Sequence, residues 1–378
     1  MPSRRDFLGQ TAWAGATLGA ARLFAWTTGS ASAASRLDAL ARTAPTARFW
    51  TSLSKAGANC AACHVATPRA GVQPNHPAGL VQCLLCAQHC AIPAGESGRC
   101  RGRINVAGEL KSLVYGRPVS VHVDPIEKKP FYHFLPGVTA FSFGTAGCPL
   151  SCQFCQNWEL SQSAPVIAFT YNEATVFAEY LLDVARAARP RGVRSVLVSC
   201  GFMSEAPLAE MCDVLAAIKI DLKGFSDDFY HRVSGAALAP VLRSIKQIHK
   251  RGVHLEIVNL VVPTLNDSEP LLSGLADWLM SELGPEVPIH FTRFHPDYKL
   301  LNLPPTPVAT LERARDIAMG KGIQYAYVGN VPGHPGNDTY CPQCRQVVIR
   351  RAGFFVAENK IANGRCRNCQ HKIAGVWS

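Results

Sequence analysis

From residue 35 onward the chain has no apolar run long enough to cross a bilayer, which excludes a spanning helix there. Acidic residues are few beside basic ones, 27 against 38, leaving a formal net charge of +11. Part of that excess lies in the tail, where seven Lys or Arg face a single Glu between Arg345 and Lys372. A basic ribbon invites a nucleic-acid reading. Aromatic side chains that could stack on bases are scarce among these charges, so a solvated surface on a small metal-bound module is preferred.

Cysteine, by contrast, is abundant, with 15 residues. They fall in groups: Cys60/Cys63, Cys83/Cys86/Cys90/Cys100, Cys148/Cys152/Cys155, Cys341/Cys344 and Cys366/Cys369. Cys200 and Cys212 stand apart and read as small buried hydrophobes. Closely spaced pairs argue for metals over a disulfide framework. The run Cys148-Pro-Leu-Ser-Cys152-Gln-Phe-Cys155 lacks a nearby fourth thiol. Three thiolates hold three irons of a [4Fe-4S] cube and leave the fourth open to a ligand, whereas an electron-transfer cluster has four.

The set Cys341, Cys344, Cys366 and Cys369 has the paired knuckles of a structural zinc site, with rubredoxin-like iron as the alternative. The tail is too small to fold without such a staple. Cys83, Cys86, Cys90 and Cys100 form a second set, open to zinc or to an iron–sulfur cluster. Cys60-Ala-Ala-Cys63-His64 matches the haem c attachment motif, with His76 as a distal candidate. The surroundings offer few apolar residues to wrap a porphyrin, so the expectation is metal or a disulfide and no haem.

Residues 1–34 read as a twin-arginine signal peptide, with Arg4-Arg5, an Ala/Gly/Leu-rich stretch and Ala31-Ser32-Ala33. This predicts a periplasmic protein; the alternative is a basic N-terminus that stays in the cytoplasm. A linker with the Cys-x-x-Cys-His motif follows at 35–80, then a Cys-rich region at 81–137, a core at 138–335 and a four-cysteine ribbon at 336–378.

The core alternates β-rich runs with helical patterns. Strands are predicted at Val138–Phe143, Val193–Ser199, Ile218–Leu222, His254–Val262, Ile289–Phe294 and Ile323–Val328. Helices are predicted at Asn172–Ala188, Pro207–Ala216, Asp228–Lys250, Asp267–Leu283 and Ala309–Gly320. Six such units imply an α/β fold with a parallel sheet, fewer than the eight of a closed TIM barrel. A partial barrel and a doubly wound sheet both satisfy this pattern. In either, chemistry gathers at the C-terminal strand ends, where the three-cysteine loop, Asn172-Glu173, Ser199-Cys200-Gly201, Asp221-Leu222-Lys223, Asn259 and His295 fall.

Four stretches carry a family resemblance: 124–137, the loop through Cys155-Gln-Asn-Trp158, 294–299 and 328–336. Over residues 81–378 the chain resembles the radical S-adenosylmethionine (radical SAM) enzyme of the AmmeMemoRadiSam system, a relative of the pyruvate formate-lyase activating enzymes. The resemblance implies a partial (β/α)6 radical SAM barrel and a [4Fe-4S] cluster on Cys148, Cys152 and Cys155 that binds SAM. It implies that Asn172 and Glu173 replace the Gly-Gly-Glu motif of other members and meet the SAM ammonium. A helix cap is the competing reading of both residues. Asp221 and Lys223 would serve the ribose and carboxylate of SAM, or form a salt bridge at a strand end. Ser199 would also serve SAM, and His295 would contact the nucleoside or cap a turn. Ala174 and Cys200 depart from the Pro and Asn usual in the family.

The expected function is reductive cleavage of SAM to a 5′-deoxyadenosyl radical for hydrogen abstraction. The expected partners are a low-potential electron donor and a protein substrate of AmmeMemo type. The alternative is an exported iron–sulfur, or haem, electron carrier that does not cleave SAM.

Overall fold

The computed structural model describes residues 40–53, 79–150, 152–153, 166–171 and 173–378. Arg4, Arg5, Cys60, Cys63, His64, His76, Cys155 and Asn172, with the expectations attached to them, lie outside the described residues.

Eight strands form the main sheet and lie side by side in chain order. They are β1 (Pro118–Pro125), β2 (Thr139–Thr145), β3 (Val166–Phe169), β4 (Arg194–Ser199), β5 (Ala217–Asp221), β6 (His254–Val261), β7 (Ile289–Arg293) and β8 (Ala326–Gly329). β1 is antiparallel to β2, and every later pairing is parallel. Parallel neighbours need crossovers. These are α1 (Ala178–Ala188), α2 (Glu205–Val214), α3 (Leu238–Lys250), α4 (Glu269–Leu283) and α5 (Val308–Gly320). A doubly wound sheet reverses its strand order at a switch point. This one never reverses, so it winds in one direction, with β1 and β8 as its edges.

Periodicity explains the packing. α3 buries Leu238, Val241, Ile245 and Ile248, which share one face at helical spacing. In the strands, one parity meets the helices: Leu197, Ile218, Ile220, Ile257, Phe291 and Val328 join the main core. The other parity lines the opposite face, and the register aligns it across strands. Val198 pairs with Lys219, Lys219 with Glu256, and Asp221 with Val258. Val258 pairs with His290, and His290 with Tyr327. That face is far more polar than the helix side. Its lower part is filled by Ile126, Phe131 and Phe134, which pack on Ala140, Ala168 and Val196.

The six predicted strands are present with shifted ends, but the sheet holds two more. β1 starts and ends at proline, begins with a register shift, and occupies an edge, where proline is tolerated. β3 has only four residues, too few to show a period. The predicted helix Asp228–Lys250 is broken. A short turn at Asp227–Phe229 runs into a π-turn at Tyr230–Ser234, and Gly235 at φ 62 ends it before α3.

Before the sheet lie a small antiparallel sheet (Trp50–Ser52, Val81–Cys83, Ala91–Ile92) and a hairpin (Arg103–Val106, Glu109–Ser112). After it come the strands Thr339–Tyr340, Val347–Ala352 and Phe355–Asn359 and a hairpin that ends at Cys366. Among the described residues no helix is long and apolar enough to cross a membrane.

Candidate active site

A cavity of about 290 Å³ opens at the C-terminal ends of the parallel strands. Cys148 and Cys152 follow β2 and line it, together with Glu173, Ser199, Cys200, Asp221 and Lys223. Val258, Leu260, His290, Thr292 and Gly329 add the cavity-facing parity of β6, β7 and β8. Gly147 sets the entry of the cysteine loop. Its φ is 105, and a Cβ there would lie 2.6 Å from the carbonyl oxygen of Cys100. The loop is held on its other side by Gln153, whose backbone N–H donates to the Val233 carbonyl (3.2 Å) and whose carbonyl accepts from Lys299 (3.1 Å). Burial pushes the Cys148 thiol up to about 12, and the charge of Glu173 adds to this. A thiolate there needs a bound cation, which fits a metal-ligand role.

Glu173 is buried and already engaged. Its carboxylate accepts from the Thr175 backbone N–H (3.1 Å), the Thr175 hydroxyl (2.5 Å), the Ser199 hydroxyl (2.6 Å) and the Cys200 N–H (2.7 Å). It is the N-cap of the turn that leads into α1, and it ties the end of β3 to the end of β4. Ser199 in turn accepts from the Gly201 N–H (3.0 Å), so its hydroxyl belongs to the same knot.

Asp221 lies between two lysines. It accepts from the Lys219 ammonium and from Lys223 Nζ (2.9 Å). Burial pushes Asp221 up, but the two ammoniums outweigh it and hold the carboxyl well below the usual range. Lys223 rises despite burial, because Asp221 and Cys152 favour its charge. Asn259 does not line the cavity. It donates to the Leu222 carbonyl (2.9 Å), while Asn266 donates to the carbonyls of Lys223 and Leu260 (both 2.9 Å), and together they clamp the strand ends.

The structure does not bring His295 to the cavity. The residue is exposed, and its Nδ1 meets the Pro296 carbonyl at 2.9 Å. Sequence reasoning also missed residues that do line the site. Glu127, Lys128, Tyr132 and Tyr171 come from or contact the segment after β1, a stretch singled out for resemblance but given no role. Asp124 organises it, accepting from Lys128 Nζ (2.6 Å), the Lys129 ammonium and the Tyr171 hydroxyl (2.7 Å). Tyr171 adopts φ 76 to reach this position. Glu127 is fully buried. One oxygen accepts from the Gly137 N–H (2.9 Å), and the other has no partner among the described residues. Burial pushes its carboxyl up to about 7, against the pull of Arg351. Phe354, at the tip of the C-terminal hairpin, reaches the same cavity.

The C-terminal thiols are gathered tightly: Cys341 to Cys369 is 3.5 Å and Cys344 to Cys366 is 3.8 Å. All four sulfurs lie within 4.8 Å of one another, a geometry suited to one metal ion.

No family model matches the chain. A pyruvate formate-lyase 1-activating enzyme of Escherichia coli K12 is 22% identical over 220 residues, covering 48% of this chain and 89% of that protein. A solved domain of a pyruvate-formate lyase-activating enzyme from Bacteroides vulgatus superposes with a TM-score of 0.39 at 16% identity, covering 43% of this chain and 98% of that one. The uncharacterized protein MJ0808 of Methanocaldococcus jannaschii is 40% identical over 321 residues, covering 78% of this chain and 95% of that protein. The chain is thus similar to the pyruvate formate-lyase activating enzymes over about half its length, and the C-terminal rim of its parallel sheet carries Cys148 and Cys152. It belongs to the family of the Methanocaldococcus jannaschii protein.

Proposed function

We propose that the chain binds SAM at a [4Fe-4S] cluster held by Cys148, Cys152 and Cys155 and uses it to abstract hydrogen from a protein substrate. The observation that carries this reading is the convergence of Cys148 and Cys152 with Asp221, Lys223 and Glu173 on one cavity at the strand ends. When bound, such a cluster supplies one electron to the sulfonium of SAM, which breaks a C–S bond and yields methionine and a 5′-deoxyadenosyl radical. Lys223 carries a fixed positive charge suited to the SAM carboxylate, and Asp221, with one face open, suits the ribose hydroxyls. Glu173 acts first as a strut that holds Ser199 and Cys200 in place. The apolar wall of Val198, Val258 and Leu260 excludes water from a reactive intermediate.

The singly wound sheet is further taken as a partial barrel that encloses the site, and the C-terminal thiols as a zinc ribbon. The substrate is taken as a protein partner of AmmeMemo type, with the radical placed on a glycine. A low-potential donor supplies the electron, and the twin-arginine segment directs export.

The test is anaerobic incubation of reconstituted protein with dithionite and SAM. It should form 5′-deoxyadenosine and methionine, and Cys152→Ala should abolish both. Unchanged product from that variant would sink the proposal. No product from the intact protein would favour an electron carrier.

A further inference from the structure

We propose that Cys83, Cys86, Cys90 and Cys100 hold a second [4Fe-4S] cluster rather than zinc, with Arg103 Nε as a hydrogen-bond donor to it. This site stands independently of SAM cleavage. The four thiols line one small cavity beneath the cysteine loop. Zinc binds sulfur at about 2.3 Å, which sets tetrahedral sulfurs about 3.8 Å apart. The C-terminal set has that spacing. The N-terminal set does not. Among the described residues, the C-terminal thiols form the group whose ligand atoms lie within 4.8 Å of one another. The thiolates around a cube stand further apart, at roughly 6 Å.

The second observation is Arg103. Its side chain is 1% exposed and lines the same cavity. Nη1 donates to the Arg48 carbonyl (2.8 Å), and Nη2 pairs with Glu179. Among the described residues, Nε is buried with no partner. A buried donor left without an acceptor is costly, so a native structure supplies it with one. Cluster sulfurs are such acceptors, and hydrogen bonds to them tune the cluster potential. Apart from the thiols and Arg103, the wall is mainly Leu85, Ile92, Pro149 and Val176, a dry surface of the kind clusters occupy. Pro149 directly follows Cys148, and its carbonyl accepts from Gln88 Nε2 (3.0 Å), so this wall is shared with the candidate active site.

The test uses the full chain with Cys60→Ser and Cys63→Ser in the background, and with Cys148, Cys152 and Cys155 all changed to Ala. After anaerobic reconstitution it should retain four irons and four sulfides per chain. Dithionite should then produce the electron paramagnetic resonance signal of a reduced [4Fe-4S] cluster. Adding Cys86→Ser and Cys90→Ser should remove both iron and signal. Two zinc ions per chain with no iron would overturn the proposal, as would iron that persists without Cys86 and Cys90. Should the multiple variants not fold, Mössbauer counting on the intact chain decides: eight irons support the site and four refute it. Arg103→Met with Glu179→Gln removes the pair without stranding a charge. It should move the second cluster's midpoint potential to a more negative value, and an unchanged potential would refute the Nε contact.

Discussion

Glu127 and Glu173 are both buried carboxylates on the cavity wall, and their surroundings separate them. Glu173 has four protein donors and is a structural acceptor. Replacing it with Gln turns one oxygen into a donor facing N–H and O–H groups. The SAM-free protein should lose about 1–3 kcal/mol of stability, measured by urea unfolding. An unchanged midpoint would return Glu173 to a role confined to ligand binding. Glu127 has one donor and a vacant oxygen among the described residues. Its folded value near 7 lies above the ordinary 4.5, so the folded state holds the proton more tightly than the unfolded state. The stabilising protonation is complete below about pH 4.5 and is lost as pH rises through 7, a change of up to about 3 kcal/mol. Glu127→Gln should flatten this fall, gaining stability at pH 8 and little at pH 5. Parallel stability profiles for the two proteins between those pH values would contradict it. The sequence favours Glu173 as a SAM ligand, with a helix cap as the competing reading, and nothing local marks Glu127 as buried.

Elements carry their own constraints. The cysteine loop leaves β2 through Gly147, whose missing Cβ lets the Cys100 carbonyl approach. Gly147→Ala combines that clash with a positive φ, a strain of about 1–3 kcal/mol that the loop relieves by moving. 5′-Deoxyadenosine formation should fall about tenfold or more, while the unfolding midpoint moves only modestly. Wild-type turnover would show that the loop tolerates displacement. The strand ends were legible because Ser199, Asp221 and the cysteines follow β-rich runs and precede helical ones. The register was not. It places Lys219 on the cavity face beside Asp221, which a reading of Asp221-Leu222-Lys223 alone does not reveal. β3 escaped because four residues carry no period, and β1 because prolines disguise an edge strand. The break at Gly235 escaped because its apolar spacing continues across the π-turn. His295 makes the local contact with Pro296 that its second reading, a turn cap, anticipated, and its ring is exposed.

At the scale of the molecule, the C-terminal ribbon contributes to the site. Arg351 is buried against the sheet: its Nη2 donates to the Tyr132 carbonyl (2.9 Å), and its guanidinium lies 3.9 Å from the Tyr132 ring centroid. Tyr132 lines the cavity, as does Phe354 from the tip of the same hairpin. His133, next to Tyr132, meets the Ala374 carbonyl and the Tyr327 hydroxyl, so the chain's last residues brace the segment that carries Glu127. The exposed ring of Phe355 beside Phe354 belongs to this tip, a feature the scarcity of aromatics in the basic tail obscured. If the four thiols hold zinc as proposed above, the metal would contribute folding free energy outright, on the order of 10 kcal/mol in small metal-bound modules. Stripping it should therefore do more than loosen the tail. With the iron site intact, a zinc-selective chelator should release one zinc per chain. It should also expose the tyrosines packed under Arg351 to quenching and reduce SAM binding through loss of the wall that Tyr132 and Phe354 provide. Cys366→Ser should reproduce all three effects. If the metal leaves while SAM affinity stays constant, the ribbon is a separate module and the cavity is complete without it.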